Sequence, residues 1–485
     1  MLSALVLFAA GPIAQIEIDA RVQSPISPYI YGTNYPNNWI YDWLKEWDAH
    51  HGPFTFARAS GNRFTAYNWE TNYSNAGADY FHQNDNYLGA SEEPGWTVRH
   101  FLHAVQGKGK AALVTVPIQG YVSADRDTER GGVRDVGQSP AHLNTRFLRS
   151  FARKPGGKLS FPPDVTDRAV YQDEFVTWVE RTKSPNTPVF YTLDNEPDFW
   201  YHTHPRIQPQ KPTYADFFAR SIEFAGMIKS IAPEALVFGP VNYGWNGMRS
   251  FQEASDANGR FFVTAYLDAM REASRKAGRR LLDVYDFHLY PEARGGGVRI
   301  IYNQAPDTPE TEDARIQAPR SLWDPTYVED SWVPGSLGGE PFKLLPRMKE
   351  WIAKHYPGTK IAITEYEYGG RDKISGALAQ ADALGAFGRH GVFAANHWGV
   401  DHEEKPVFAA FQAFTDYDRQ GSAFGDRGLA VRGERPALHS VYAALDSRQR
   451  GRMTLVTINK SRSAQPFEIG LKGFRARSLR TFVVT

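Results

Sequence analysis

Short apolar runs alternate with longer amphipathic stretches along most of the chain. Eight runs rich in β-branched and aromatic residues predict strands, at Tyr29 to Asn34, Phe54 to Ala59, Ala111 to Pro117, Val189 to Leu193, Leu236 to Val241, Val284 to Tyr290, Ile361 to Thr364 and Phe393 to Trp398. Helical spacing predicts helices between them, such as Val170 to Arg181, Tyr214 to Ile231, Phe261 to Ala277, Phe342 to His355 and Ala377 to Arg389. Alternating strands and helices favour an α/β fold, and eight such units close into a TIM-like (β/α)8 barrel.

The pattern changes after about residue 416. Arg452 to Asn459 and Ser478 to Val484 have the character of strands, and polar turns rather than helices lie near them. This predicts an additional all-β sandwich domain. The early strand candidate Gln15 to Asp19 has no helical partner, so we expect it to join that sandwich. The chain is therefore divided into an N-terminal strand over 15–28, a (β/α)8 barrel over 29–415 and a β-sandwich domain over 416–485.

Composition narrows the class of partner. A net charge of +1 over 485 residues gives no electrostatic case for binding nucleic acid or an anionic membrane. Aromatic residues make up 14% of the chain, with 12 Trp and 24 Tyr, and a cleft that stacks on sugar rings needs such residues. We expect a polysaccharide as the partner, no nucleic acid, no membrane, and a monomer.

The first residues suggest an export signal. Met1 to Ala10 resembles the apolar core of a signal peptide, and Ile13-Ala14-Gln15 offers a small-residue cleavage site, which predicts a leader over 1–14 and a secreted protein, extracellular or periplasmic. Two alternatives are a start codon placed inside a longer leader and a buried first strand. The lack of cysteine fits a cytosolic protein, yet a fold of this size needs no disulfides, so secretion is not excluded.

Two strand candidates run directly into a glutamate. Val189 to Leu193 leads through Asp194 and Asn195 to Glu196, and Ile361 to Thr364 leads to Glu365. In a parallel barrel both carboxylates would lie at the rim where active sites form. Two facing carboxylic acids are what glycoside hydrolysis requires, because one protonates the leaving oxygen while the other stabilises or attacks the oxocarbenium carbon.

Two neighbours qualify this prediction. Asn195 offers an amide for a sugar 2-hydroxyl, a contact that strengthens in the transition state. Glu367 is a rival to Glu365, since it points to the same side of the chain, but it lies further from the barrel. We favour Glu365.

Several ordered segments resemble glycoside hydrolase family 44. They are Arg58 to Glu70, Leu193 to Pro197 with His204 to Arg206, and Ile363 to Gly370, and the similarity extends from Ser27 to Lys460. The resemblance implies a retaining endo-β-1,4-glucanase, in many members also active on xyloglucan, with a TIM-like barrel and a β-sandwich. It implies that Glu196 is the acid/base and Glu365 the nucleophile. Glu367 stands where asparagine is expected, which places an extra negative charge near the nucleophile and is expected to affect the pH profile.

Further residues near the predicted strand ends are candidates for binding the sugar. His288 and Tyr290 offer hydrogen-bond donors to Glu365 or the sugar, and Arg58 would pair with a catalytic carboxylate or seal the top of the barrel. The indole of Trp398 would form the floor of a subsite, unless it packs in the core. The full set of candidate substrate-binding residues is Arg58, Asn62, Trp69, Asn195, Trp200, Tyr243, His288, Tyr290 and Trp398.

No cofactor is expected for catalysis. A structural calcium is the one candidate metal, held by the loop acids Glu70, Asp79 and Asp85, because calcium prefers carboxylate and carbonyl oxygens. Ordinary solvated loop acids are the alternative. For the whole chain, the same mechanism on xylan or mannan and a non-catalytic carbohydrate-binding protein stay open beside the glucanase.

Overall fold

A computed structural model describes residues 13–34, 54–89, 91–106, 110–126, 134–302, 305–399, 405–449 and 451–483. Residues 1–12, and with them most of the predicted leader, lie outside this description. Eight parallel strands close into a barrel, and each lies within two residues of its predicted bounds. Numbered in chain order, barrel strands 1 to 8 are Tyr29–Asn34, Phe56–Ala59, Ala111–Val116, Val189–Leu193, Val237–Asn242, Val284–Leu289, Lys360–Tyr366 and Ala394–His397. The predicted (β/α)8 fold is confirmed.

Helices lie between the strands, and most of them bury one apolar face. The longer helices are Trp96–Gln106, Gln172–Thr182, Tyr214–Ile231, Phe262–Ala277, Pro309–Gln317, Leu344–His355, Ile374–Arg389 and Lys405–Thr415. Short helical turns occupy Asn62–Thr65, Gly77–Asp79, Val136–Gln138, His142–Thr145, Pro155–Gly157, Pro197–Phe199, Trp200–Thr203, Trp245–Ser250, Ala318–Leu322 and Trp332–Gly335. No helix within the described ranges combines the length and the apolar character needed to cross a membrane.

Aromatic rings fill one end of the barrel interior. Successive side chains of a strand point to opposite faces, so Phe56 and Arg58 both face inward while Ala57 packs against the outer helices. Tyr29, Phe56, Phe190, Phe238 and Phe393 pack together with ring centroids 5.4 to 6.1 Å apart. This layer lies beneath the polar residues at the carboxyl ends of the strands, where an active site can form.

Both ends of the described chain meet in a second sheet. Its strands, in spatial order, are Met453–Asn459, His439–Leu445, Arg427–Arg432, Ala14–Pro25 and Phe467–Lys472. Ile18 lies opposite Val431 in an antiparallel pair and opposite Leu471 in a parallel pair. The described strands form this one sheet, with an apolar cluster on one face. The division of the chain at residues 28 and 415 stays a prediction.

One predicted strand of this region is wrong. Residues Ser478–Val483 carry no strand in the structure, and Leu479 is 83% exposed. The edge position beside the first strand is instead taken by Phe467–Lys472, whose alternating pattern was not recognised from the sequence. An alternating or apolar run predicts a strand only if a neighbouring edge is free to pair with it.

A buried ion pair joins the second sheet to the barrel. Lys460 Nζ lies 2.6 Å from Asp382 Oδ2, and both side chains are almost fully buried. Asp382 belongs to the helix Ile374–Arg389 and also accepts a hydrogen bond from the Tyr442 hydroxyl at 2.8 Å. The Lys460–Asp382 pair and the Tyr442 hydroxyl therefore connect the second sheet to the helix Ile374–Arg389 of the barrel.

Small sheets reinforce the long loops. Tyr121–Ser123, Phe147–Phe151 and Ala169–Tyr171 form a three-stranded sheet after barrel strand 3. Two-stranded pairs join Ser74–Asn75 to Asn84–Asp85 after strand 2, and Arg294–Gly295 to Val298–Arg299 after strand 6. These loops therefore have fixed backbones from which side chains can be presented to the barrel mouth.

Candidate active site

The end of barrel strand 4 is bent so that Glu196 is presented at the barrel mouth. Asp194 and Glu196 have φ angles of 70° and 44°, the left-handed region that is unfavourable for residues other than glycine. The buried Asp194 carboxylate stabilises this bend by accepting hydrogen bonds from the backbone N–H groups of Ile118, Gln119 and Asn195 at 2.6, 3.2 and 2.8 Å. Strained backbone held in place by its surroundings is typical of functional sites.

A bulge in barrel strand 7 aims Glu365 at the same point. Ile363 pairs with Phe287 of strand 6, but the next pair joins Glu365 to His288, so Thr364 is an extra residue on strand 7. An extra residue shifts the in–out alternation by one position. Glu365 therefore lies directly beside His288.

The two carboxylates face each other across a shared histidine. One oxygen of Glu196, one oxygen of Glu365 and one nitrogen of His288 all lie within 4.8 Å of one another. His288 Nδ1 is 2.7 Å from Glu196 Oε1 and 3.5 Å from Glu365 Oε2. All three residues are buried, with Glu196 7% and Glu365 4% exposed.

Glu365 is surrounded by hydrogen-bond donors. Arg58 Nη1 donates to Glu365 Oε1 at 2.8 Å, and the Tyr290 hydroxyl donates to Oε2 at 2.8 Å. Arg58 is fully buried and its guanidinium also donates to Asn34 and Asn195. Burial raises the pKa of Glu365, while the Arg58 charge and the two hydrogen bonds oppose this rise and favour the carboxylate.

Glu196 has a different environment. Burial raises the pKa of Glu196 well above its usual range, and the nearby charge of Glu365 raises it further. His288 cannot supply a compensating cation, because burial and the Arg58 charge hold the pKa of the imidazole well below its usual range. The two carboxyl groups thus differ in proton affinity, as a general acid and an ionised partner must.

Glu196, His288 and Glu365 are the only group of three or more His, Asp or Glu side chains within the described ranges that lie close enough together to hold a metal ion. The Arg58 guanidinium at 2.8 Å from Glu365 places a fixed positive charge against the point where a cation would sit. Like charges repel strongly in a buried site, so these residues suit acid–base chemistry better than a bound metal.

The three predicted calcium ligands Glu70, Asp79 and Asp85 do not form a metal-binding group within the described ranges, and a structural calcium stays a prediction. Asp85 is neutralised by a buried ion pair with Arg63, and Asp79 Oδ1 accepts a hydrogen bond from Asn62 at 2.8 Å. Burial raises the pKa of Glu70 to about 8, and neighbouring acids such as Asp167 and Glu174 add to the rise. The acids are close in sequence, but each has a different partner.

Two of the predicted aromatic platforms lie in the core. Trp69 is 1% exposed and packs near Phe175 and Trp178, and Trp200 is fully buried with its indole N–H donating to the Asn195 carbonyl at 3.0 Å. Neither ring can contact a sugar, so the prediction is wrong for both. A residue that comes just after a barrel strand does not necessarily lie in the cleft, because half of such residues point toward the helices.

Other predicted residues do lie at the mouth of the barrel. Tyr243 is 40% exposed and stacks on Phe199 at a ring distance of 4.3 Å. Trp398 is half-buried just after strand 8, where its backbone N–H donates to Tyr366. Asn62 is half-buried and bonded to Asn195 and Asp79. A pocket of about 750 Å³, open to solvent, extends from His288 and Tyr290 past Tyr243 to Trp332.

Several supporting residues were not recognised from the sequence. Asn34 donates to the Thr364 carbonyl at 2.9 Å and so supports the bulge beside Glu365. Asp194 holds the strand 4 bend, and Asp286 is fully buried beneath the site, bonded to Thr364. The positions of Asn34 and Asp194 at strand ends were the available signal, and Asp286 lies inside strand 6, but a partner in space is needed to interpret a buried polar residue.

A closed parallel barrel with two carboxylates facing each other at the carboxyl end of its strands defines a barrel glycoside hydrolase. Comparison with known proteins agrees. Residues 73–293 match the family model of glycoside hydrolase family 44. A family 44 xyloglucanase of Paenibacillus polymyxa, solved with xyloglucan, is 38% identical, with a TM-score of 0.85 over 96% of this chain and 91% of that one.

Two further relatives support the same assignment. A family 44 endoglucanase structure from Clostridium thermocellum is 37% identical with a TM-score of 0.85, again over 96% of this chain and 91% of that one. Endoglucanase A of Paenibacillus lautus is 38% identical over 90% of this chain, which spans 62% of that protein's length. The chain belongs to glycoside hydrolase family 44.

Proposed function

We propose that the protein is an endo-acting β-1,4-glucanase that cleaves soluble cellulose derivatives and xyloglucan by a two-step retaining mechanism. The observation that carries this proposal is the pair Glu196 and Glu365, whose nearest carboxylate oxygens lie within 4.8 Å. Retaining pairs are about 5 to 5.5 Å apart, whereas inverting pairs are about 6.5 to 9.5 Å apart to admit a water. Nearest oxygens within 4.8 Å fit carboxyl groups in the retaining range and support direct attack by a carboxylate.

In the first step, Glu365 would attack the anomeric carbon while Glu196 gives its proton to the glycosidic oxygen. The C–O bond to the leaving sugar breaks, and a covalent glycosyl–Glu365 ester forms. In the second step, the Glu196 carboxylate removes a proton from water, the water oxygen attacks the same carbon, and Glu365 leaves as a carboxylate. Two inversions restore the original anomeric configuration.

The environments of the two acids support these roles. Glu365 receives hydrogen bonds from Arg58 and Tyr290, which favour the ionised form that a nucleophile needs. Glu196 contacts a neutral His288, and burial together with the Glu365 charge favours the protonated form. When Glu365 becomes an ester its charge disappears, so the pKa of Glu196 falls and it can act as the base.

The choice of glucan rests on the relatives, whose names are endoglucanase and xyloglucanase. The open pocket past Tyr243 and Trp332 supports a polymer substrate, because it extends the mouth beyond the carboxylates. The same mechanism on xylan or mannan is the rival, since loop shape selects the backbone sugar.

The proposal is tested by measuring reducing-sugar release from carboxymethylcellulose, xyloglucan, xylan and mannan. We expect the glucans to be cleaved fastest, and preferred cleavage of xylan or mannan would favour the rival. Proton NMR of the first product should show the β-anomer, and a first-formed α-anomer would reject retention. Binding of glucan with no bond cleavage would instead identify a carbohydrate-binding protein.

The roles are tested with Glu196→Ala and Glu365→Ala. Glu196→Ala should still release an activated aryl leaving group that needs no proton, and azide should partly restore turnover by replacing the base-assisted water. Glu365→Ala should lose glycosylation on every substrate. Glu292→Ala is a matched control, because Glu292 lines the same pocket but pairs with Arg299 at 2.8 Å. Equal losses in both catalytic variants on the activated substrate would remove the role assignment.

A further inference from the structure

A continuous series of hydrogen bonds runs from Glu365 to an acid in the loop after barrel strand 2. Arg58 donates to Glu365 Oε1 at 2.8 Å and to Asn195 Oδ1 at 3.0 Å. Asn195 Nδ2 donates to Asn62 Oδ1 at 3.2 Å, and Asn62 Nδ2 donates to Asp79 Oδ1 at 2.8 Å.

The two ends of this series determine the orientation of both amides. A guanidinium can only donate, so Arg58 requires the oxygen of Asn195, and an ionised carboxylate can only accept, so Asp79 requires the nitrogen of Asn62. Asn62 then presents its oxygen to Asn195 Nδ2. Without Asp79, the Asn62 amide is free to turn, and its nitrogen would then face the nitrogen of Asn195.

The backbone around Asp79 is fixed. Asp79 ends the short turn Gly77–Asp79, and Gly77 packs so closely that a Cβ there would lie 2.4 Å from the Thr203 carbonyl oxygen. The helix Trp200–Thr203 that supplies this contact is separated from Glu196 only by the turn Pro197–Phe199. Asp79 is therefore held at a set position relative to the end of strand 4, although its side chain is accessible to solvent.

Asn195 has one hydrogen left for a ligand. One Nδ2 hydrogen is used by Asn62, and Asn195 Nδ2 makes no other hydrogen bond with the part of the chain that the structure describes. Asn195 adjoins Glu196, where a sugar 2-hydroxyl would lie in a retaining glycosidase. The direction of that remaining hydrogen is determined by the bond to Asn62.

We propose that Asp79 is a positioning residue that acts through Asn62 to aim the free Nδ2 hydrogen of Asn195 at the 2-hydroxyl of the sugar being cleaved. The proposal rests on the proposed function. A second effect follows from charge, because the negative charge of Asp79 also raises the pKa of both Glu196 and Glu365. The positioning effect requires an acceptor at residue 79, whereas the charge effect requires a carboxylate.

The experiment compares an aryl β-cellobioside with its analogue lacking the 2-hydroxyl on the sugar that is cleaved. With Asp79→Ala, kcat/KM for the parent substrate, measured at the variant's own pH optimum, should fall roughly 10-fold, the equivalent of one hydrogen bond, while the 2-deoxy substrate at that optimum should react as with wild type. Asp79→Asn keeps an acceptor and should restore most of the parent rate. In Asp79→Asn, the acid limb and the basic limb of the pH–activity profile should both move to lower pH, because the lost negative charge no longer raises the pKa of Glu365 and Glu196.

Glu93→Gln is the control, because Glu93 lies in the same connection and pairs with Arg99 at 2.8 Å, outside the series. Partial unfolding of a variant would lower the rates for both substrates equally, so the ratio of the two rates is independent of folding. An equal fall on both substrates, or no fall on either, would overturn the positioning role while the wild-type enzyme still cleaves glucan. A wild-type protein that cleaves neither glucan nor the aryl substrate would overturn the proposed function first.

Discussion

Tyr290→Phe removes a single hydrogen bond from the proposed nucleophile. Tyr290 donates to Glu365 Oε2 at 2.8 Å in a buried site, and its pKa is raised well above the usual range, mainly by burial, so the hydroxyl keeps its proton at every working pH. A hydrogen bond to a charged group contributes about 1.5 to 3 kcal/mol. At about 1.4 kcal/mol per factor of ten, its loss corresponds to a rate change of roughly 10- to 150-fold.

The loss should act mainly on the second chemical step. Glu365 regains its charge when the glycosyl ester is hydrolysed, and Tyr290 stabilises that charge as it forms. With an activated aryl cellobioside, the variant should show a burst of released phenol followed by a slow steady state. The acid limb of kcat/KM should also move to higher pH, because removing a donor from the carboxylate raises the pKa of Glu365.

Tyr243→Phe is the matched control, since it removes a hydroxyl from the same pocket without touching Glu365. The control should keep the wild-type acid limb and show no new burst. A kcat of Tyr290→Phe within about twofold of wild type, with an unchanged acid limb, would refute the claim that the Tyr290 hydrogen bond stabilises the Glu365 charge during catalysis.

Three further changes test other parts of the structure. Trp398→Ala should lower kcat/KM on long glucans, with a loss of about 1 to 3 kcal/mol in transition-state binding and an unchanged thermal midpoint of unfolding. A large fall in the thermal midpoint with kcat/KM unchanged would identify Trp398 as a packing residue. Lys460→Met leaves the Asp382 carboxylate buried without its cation and should cost about 3 to 5 kcal/mol in urea unfolding, with part recovered by adding Asp382→Asn. Burial raises the pKa of Asp286 to about 7, so between about pH 4 and 7 the folded state binds more protons than the unfolded state, and wild-type stability falls as the pH rises. Asp286→Asn removes this titration, so it should raise stability at pH 8 but not at pH 4. Thermal midpoints that shift equally at both pH values would contradict this.

The barrel was predictable because its signals are local. Each strand candidate is a short apolar run between helical stretches, and burial of both faces of a parallel strand requires such a run. The position of Glu196 and Glu365 at strand ends followed from the same pattern. For Tyr191 to Glu196, the sequence located the end of the strand. It did not show the bend at Asp194 and Glu196 that follows.

The details of the site were not predictable because they depend on geometry without a local signal. Nothing in Ile361 to Tyr366 indicates that Thr364 forms a bulge, yet that bulge turns Glu365 toward His288. Trp69 and Tyr243 both follow barrel strands, but one is 1% and the other 40% exposed. Whether an aromatic residue lines a cleft or a core is decided by packing across elements that are distant in sequence.

Glu367 illustrates both what the sequence predicts and what only the three-dimensional structure shows. The sequence indicates an extra negative charge beside the nucleophile, but a buried carboxylate requires a partner, and Glu367 is only 3% exposed. Arg371, four residues further along the chain, donates to Glu367 through Nε at 2.8 Å and to the Trp398 carbonyl at 2.7 Å. An ion pair acts at a distance as a dipole rather than as a charge, so its influence on Glu365 is weaker than that of the direct contact with Arg58. The pair therefore ties the end of strand 7 to the residue after strand 8, and the effect of Glu367 on the pH profile stays a prediction.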